Sequence, residues 1–106
     1  MVREIELWSA DGLTIRAGVD DPGNLVISGH DLRADRVFGP EAHEYEYELR
    51  VQPADLPRVI AALGGQVDDD VLDLLGQHGA AVVQAGEQTW LRGIGIEPLF
   101  WSRIGD

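Results

Sequence analysis

The stretch Glu44-Tyr45-Glu46-Tyr47-Glu48-Leu49-Arg50-Val51-Gln52-Pro53-Ala54-Asp55-Leu56-Pro57-Arg58-Val59-Ile60-Ala61-Ala62-Leu63 changes its hydrophobic period midway, and that change decides the fold. As far as Val51, polar and apolar residues alternate, as in a strand with one buried face. Tyr45, Tyr47, Leu49 and Val51 are expected to face a core, with Glu44, Glu46 and Glu48 on the opposite side. Beyond Gln52-Pro53, Leu56, Val59, Ile60 and Leu63 recur at i, i+3, i+4 and i+7, the stripe of a helix packed on that core. Pro53 and Pro57 are tolerated only near the helix start, and Gly64-Gly65 ends it.

Towards the N-terminus the strand period continues. Arg3 to Ser9 places Ile5 and Leu7 on one face and Glu4, Glu6 and Trp8 on the other. Leu13 to Val19 gathers Leu13, Ile15, Ala17 and Val19. A two-residue loop at Asp11-Gly12 would pair Leu7 with Arg16 and split the apolar face. A three-residue loop, Ala10-Asp11-Gly12, pairs Leu7 with Ile15 and Glu6 with Arg16, and is preferred. Asp20-Asp21-Pro22-Gly23-Asn24 signals a turn, and Leu25 to Gly29 a third strand. His30 to His43 is polar, holds Gly39-Pro40 and reads as a loop. Sequential strands joined by turns imply an antiparallel meander.

Towards the C-terminus, Asp68-Asp69-Asp70 opens a second helix, where carboxylates cap free amides. Its apolar side is Val71, Leu72, Leu74 and Leu75, and Gly79 is its expected stop. Ala80 to Gly86 fits strand or helix. Glu87 to Gly93 reads as helical through Trp90, Leu91 and Ile94. After Pro98, Leu99 to Ile104 reads as a final strand with Phe100 and Trp101 on opposite faces. The expected fold is α+β: an antiparallel β-meander of about four strands, two or three helices packed on one face, and a C-terminal strand. One domain spans residues 1–106.

Charge narrows the partners. Nineteen Asp+Glu against eight Lys+Arg, every one of them Arg, give a net charge of −11. Such a surface disfavours nucleic acid and anionic membrane and favours a basic protein partner. Hydrophobic residues, at 44%, suffice for a core and argue against disorder. The lack of cysteine excludes disulfides and thiolate metal sites and fits a cytoplasmic location. No signal peptide or apolar run of membrane-spanning length is read. Ala, Gly, Val and Arg are abundant and Lys is missing, which fits GC-rich bacterial coding.

No catalytic constellation emerges. Ser9, Ser28 and Ser102 sit in strands, and no Gly-x-Ser-x-Gly occurs. Gly93-x-Gly95 follows a helix, where a dinucleotide fingerprint would follow a strand. His30, Asp31, Asp35, His43 and Glu44 match no compact ligand spacing, so no metal, cofactor or catalytic residue is assigned. The candidate partner-binding residues are Glu44, Glu46 and Glu48, about 7 Å apart along one strand face, together with Trp8, expected exposed on an acidic face. The oligomeric state is not readable.

Several segments, taken in order, resemble a known family. They are Leu25-Val26-Ile27-Ser28-Gly29-His30-Asp31-Leu32, the Glu44 to Val51 strand, Asp55-Leu56-Pro57-Arg58 through Leu63-Gly64-Gly65, the helix from Asp70 to Leu75, and Gly95-Ile96-Glu97-Pro98-Leu99-Phe100-Trp101-Ser102-Arg103. The family comprises small acidic single-domain proteins of GC-rich bacteria, similar to immunity proteins of bacterial toxin systems. The resemblance implies a non-enzymatic protein-binding module that blocks a basic toxin domain, and it supplies no catalytic residues. The alternatives are a structural or regulatory interaction protein, and a small hydrolase or metal-dependent enzyme using His30, Asp31, His43 and nearby acids.

Overall fold

The computed structural model describes residues 3–33 and 44–105. The elements are β1 (Glu4–Ala10), β2 (Leu13–Val19), β3 (Leu25–Asp31), β4 (Glu44–Val51), a 3₁₀ turn (Pro53–Asp55), α1 (Leu56–Ala62), α2 (Val71–Ala85), α3 (Glu87–Gly93) and β5 (Leu99–Gly105). The strands form one five-stranded sheet in chain order, each antiparallel to its neighbour. The meander is therefore four strands followed by a fifth that returns after the helices to pair with β4.

One sheet face carries the core. Ile15, Ala17, Leu25, Ile27, Leu49 and Val51 are buried there against Val59, Ile60 and Leu63 and against Val71, Leu72, Leu74, Leu75, Val82 and Leu91. The period change across Gln52-Pro53 thus joins a strand and a helix that share this core. Tyr47 packs on the core edge, and Tyr45 is half-buried beside it with ring centroids 5.9 Å apart. The Tyr47 ring lies over Gly29 of β3, where any Cβ would overlap it. That position must be glycine for the ring to lie flat.

The first hairpin corrects the expected three-residue loop. Ala10 pairs with Leu13, so the loop is Asp11-Gly12 alone. Both residues have positive φ, 53° and 85°, as a two-residue hairpin of this twist requires. The apolar face is not split, because a β-bulge between Glu6 and Trp8 absorbs the extra residue. Glu6 still opposes Arg16, whereas Trp8 opposes Ile15. The bulge brings Leu7 and Trp8 both against the core.

Two element boundaries also differ from expectation, the end of α2 and the end of β3. Gly79 does not stop α2, which continues to Ala85. Leu7 packs directly on Gly79, where a Cβ would lie 2.8 Å from Leu7 Cδ2, so close packing of helix on bulge outweighs glycine's weak helix propensity. Ala80 to Ala85 is accordingly helical, and Gly86, at φ 88°, turns the chain into α3. At its other end α2 is capped as expected, with Asp70 Oδ1 accepting from the Leu72 amide at 2.8 Å. Strand β3 extends through Asp31, so His30 belongs to the sheet and not to a loop. The rest of the expected loop, 34–43, lies outside the described residues.

Candidate functional site: the open face of the sheet

Register places one set of side chains on the sheet face opposite the core. Reading across the strands, one row is Glu6, Arg16, Ser28, Glu48 and Trp101. The next is Ser9, Thr14, His30, Glu46 and Arg103, and the row on the other side is Glu4, Gly18, Val26, Arg50 and Leu99. Glu44, Glu46 and Glu48 thus share this face with Glu4 and Glu6, alternating away from the core as period two requires. Thr14 and Ser28 are short, so the centre sinks into a hollow of about 350 Å³ walled by Arg16, His30, Glu46, Glu48 and Trp101.

The face is less acidic than the glutamates suggest. Five glutamates stand among three arginines, and most are paired. Glu48 Oε1 accepts from Arg50 Nη2 at 2.8 Å, while Arg50 Nη1 reaches Asp20 Oδ2 at 3.0 Å. Glu46 Oε2 accepts from Arg103 Nη2 at 3.1 Å. Glu4 Oε1 lies 3.5 Å from Arg16 Nη1. His30 Nε2 sits 2.7 Å from Glu44 Oε2 and 3.6 Å from Glu46 Oε1. Half-exposed pairs of this kind hold side chains in place while contributing little to stability.

His30, Glu44 and Glu46 bring donor atoms within 4.8 Å of one another, a spacing a divalent cation could use. In the structure His30 Nε2 is hydrogen-bonded to Glu44 Oε2, and Glu46 Oε2 is paired with Arg103. Asp31 lies on the opposite face, its carboxylate accepting from the Arg33 amide. Asp35 and His43, from the same sequence neighbourhood, lie outside the described residues. Ser28 shares the hollow with His30, yet no hydrogen bond joins them among the described residues. A nucleophile and base in working contact are not formed there.

Trp8 was expected on this acidic face; the bulge turns it to the core, where it is half-buried. Another tryptophan takes the exposed position. Trp101, on the edge strand beside Glu48, is 52% exposed. Phe100, Leu99 and Ile104 on the same strand are 49%, 63% and 54% exposed. The sequence places Phe100 and Trp101 on opposite faces but does not tell that both are exposed.

A further feature had no sequence signal. Glu87 at the start of α3 is 8% exposed, and Tyr47 donates its phenol hydrogen to Glu87 Oε1. Burial pushes the Tyr47 phenol well above the ordinary tyrosine value; the hydrogen bond to Glu87 and that carboxylate's charge push the same way.

No family model, curated protein or solved structure matches the chain. No described helix is long and apolar enough to cross a membrane.

Proposed function

We propose that this chain is a non-enzymatic, cytoplasmic protein-binding module that presents the open sheet face to a basic protein partner. In the specific form suggested by the family resemblance, it is an immunity protein that covers the basic cleft of a toxin domain. The observation carrying the reading is the face itself. Glu44, Glu46 and Glu48 stand in line on a rigid strand, held by their neighbours, with exposed Trp101 adjoining Glu48. Preorganised carboxylates steer a cationic partner and fix its register, and an aromatic at the rim supplies the apolar contact that slows dissociation. With five glutamates and three arginines interleaved, the face suits a partner of mixed pattern better than a uniformly cationic polymer. The absence of a joined nucleophile and base among the described residues supports a binding role over turnover.

The test is affinity capture by the intact chain from cell extract at low and at high salt, followed by stopped-flow association with the captured protein. The partner should be basic and released by salt. The triple variant Glu44→Gln, Glu46→Gln, Glu48→Gln should remain folded, associate more slowly and lose most of the salt dependence. An unchanged rate would put the binding surface elsewhere.

A further inference from the structure

The sheet has two edges of opposite design. An open edge offers unpaired backbone amides and carbonyls to any passing strand, and soluble proteins guard against this with charges and bulges. Edge β1 is guarded twice, by the acids Glu4 and Glu6 and by the bulge at Leu7. Edge β5 has no bulge, and its one charge, Arg103, is paired with Glu46 of β4. Its sequence, Leu99-Phe100-Trp101-Ser102-Arg103-Ile104-Gly105, contains no acid, its pairing with β4 is regular, and four large apolar side chains are exposed on it. In a chain of net charge −11, seven consecutive acid-free residues on an outer edge are a surface built for contact.

The β5 sequence is also complementary to itself. Antiparallel pairing about a two-fold axis at Ser102 puts Phe100 opposite Ile104 of the second copy on the helix side. On the open side it puts Trp101 opposite Arg103 of the second copy. Apolar meets apolar, and a guanidinium meets an aromatic face. Moving the axis to Arg103 would oppose two like charges. Moving it to Trp101 would set Phe100 against Ser102 and Leu99 against Arg103. The registers are therefore not equivalent. The acids of the adjoining strand, Glu46 and Glu48 on β4, would lie about 14 Å from their counterparts, three strand spacings away and beyond the Debye length at physiological salt.

We propose that β5 pairs with β5 of a second copy, in register about Ser102, to form a two-fold dimer with one continuous ten-stranded sheet. The helices of both copies lie on one side, and the two open faces join on the other. Trp101 then moves from a rim to the centre of a doubled platform. The inference does not depend on the identity of any other partner. A seven-residue edge is small beside standard interfaces, so the dissociation constant should be on the order of 10 µM.

Sedimentation equilibrium on the intact chain, with cysteine substitutions in a protein that has none, tests this. The mass should rise from 11.6 kDa towards twice that value with concentration, and more readily at higher salt, because both copies are acidic. Ser102→Cys should form a disulfide with its own copy under mild oxidation, whereas Leu99→Cys, at the strand end, should not. Ile104→Lys, at an exposed site, should keep its circular dichroism and weaken association at least about tenfold. A monomer at every concentration overturns the proposal. So does a dimer that survives Ile104→Lys or does not cross-link at Ser102→Cys, since either places the contact off β5. Association weakened by salt would also overturn it, because that behaviour belongs to pairing of opposite charges.

Discussion

Tyr47 joins three parts of the molecule: its ring covers Gly29, its edge meets the core, and its hydroxyl is tied to Glu87 on α3. Tyr47→Phe keeps the ring and removes the donor, leaving a buried carboxylate with one partner fewer. Urea unfolding should show a loss of about 1–3 kcal/mol. Adding Glu87→Leu to Tyr47→Phe should recover much of it, because replacing both partners removes the unsatisfied group. A double variant no more stable than the single would mean that the hydrogen bond is incidental. The pH dependence has a definite sign. The folded phenol titrates above the unfolded one, so its contribution is complete below about pH 10 and declines as pH rises from there towards the folded value. Wild type should therefore lose stability between about pH 9 and about pH 11 more steeply than Tyr47→Phe.

At the scale of elements, α2 and β1 meet through glycine. Gly79 lies under Leu7 with no room for a side chain, whereas a Cβ at Gly76 would meet only Ile5 Cδ1 at an ordinary 3.8 Å. Gly76→Ala should thus stabilise by about 0.5–1 kcal/mol, from helix propensity alone. Gly79→Val should lower the melting temperature, because α2 must lift from the bulge; thermal unfolding of both variants checks the contrast. This contact also shows where sequence reasoning reached its limit. Strands were legible because each has one wet and one dry face, and Glu44, Glu46 and Glu48 could be set opposite the core from their alternation alone. The bulge was not legible, because it depends on Leu7 meeting a glycine on an element far along the chain. Once it forms, Trp8 changes face, and a residue read as an exposed anchor becomes a core neighbour. Trp101 stayed unassigned for a related reason: whether an edge strand is covered depends on where helices come to rest, and periodicity does not report that.

Over the whole molecule, charge is spread against itself. Arg3 with Asp70 and Asp73, and Arg92 with Glu97, form exposed ion pairs, which contribute little individually. The remaining excess of acids opposes compaction. Raising sodium chloride from about 10 mM to about 0.5 M should therefore raise the melting temperature of dilute protein. A fall would mean that the surface pairs outweigh the repulsion. The chain order of the sheet carries one more consequence, in kinetic terms. Strands β1 to β3 are joined by tight turns, but β5 reaches β4 only after the chain has run through all three helices. That last pairing closes the longest loop in the sheet and bears the largest entropic delay. The meander can thus assemble from its first hairpin outward, with β5 arriving after the core has formed, so the strand that exposes the most apolar surface is in place for the shortest part of the folding time.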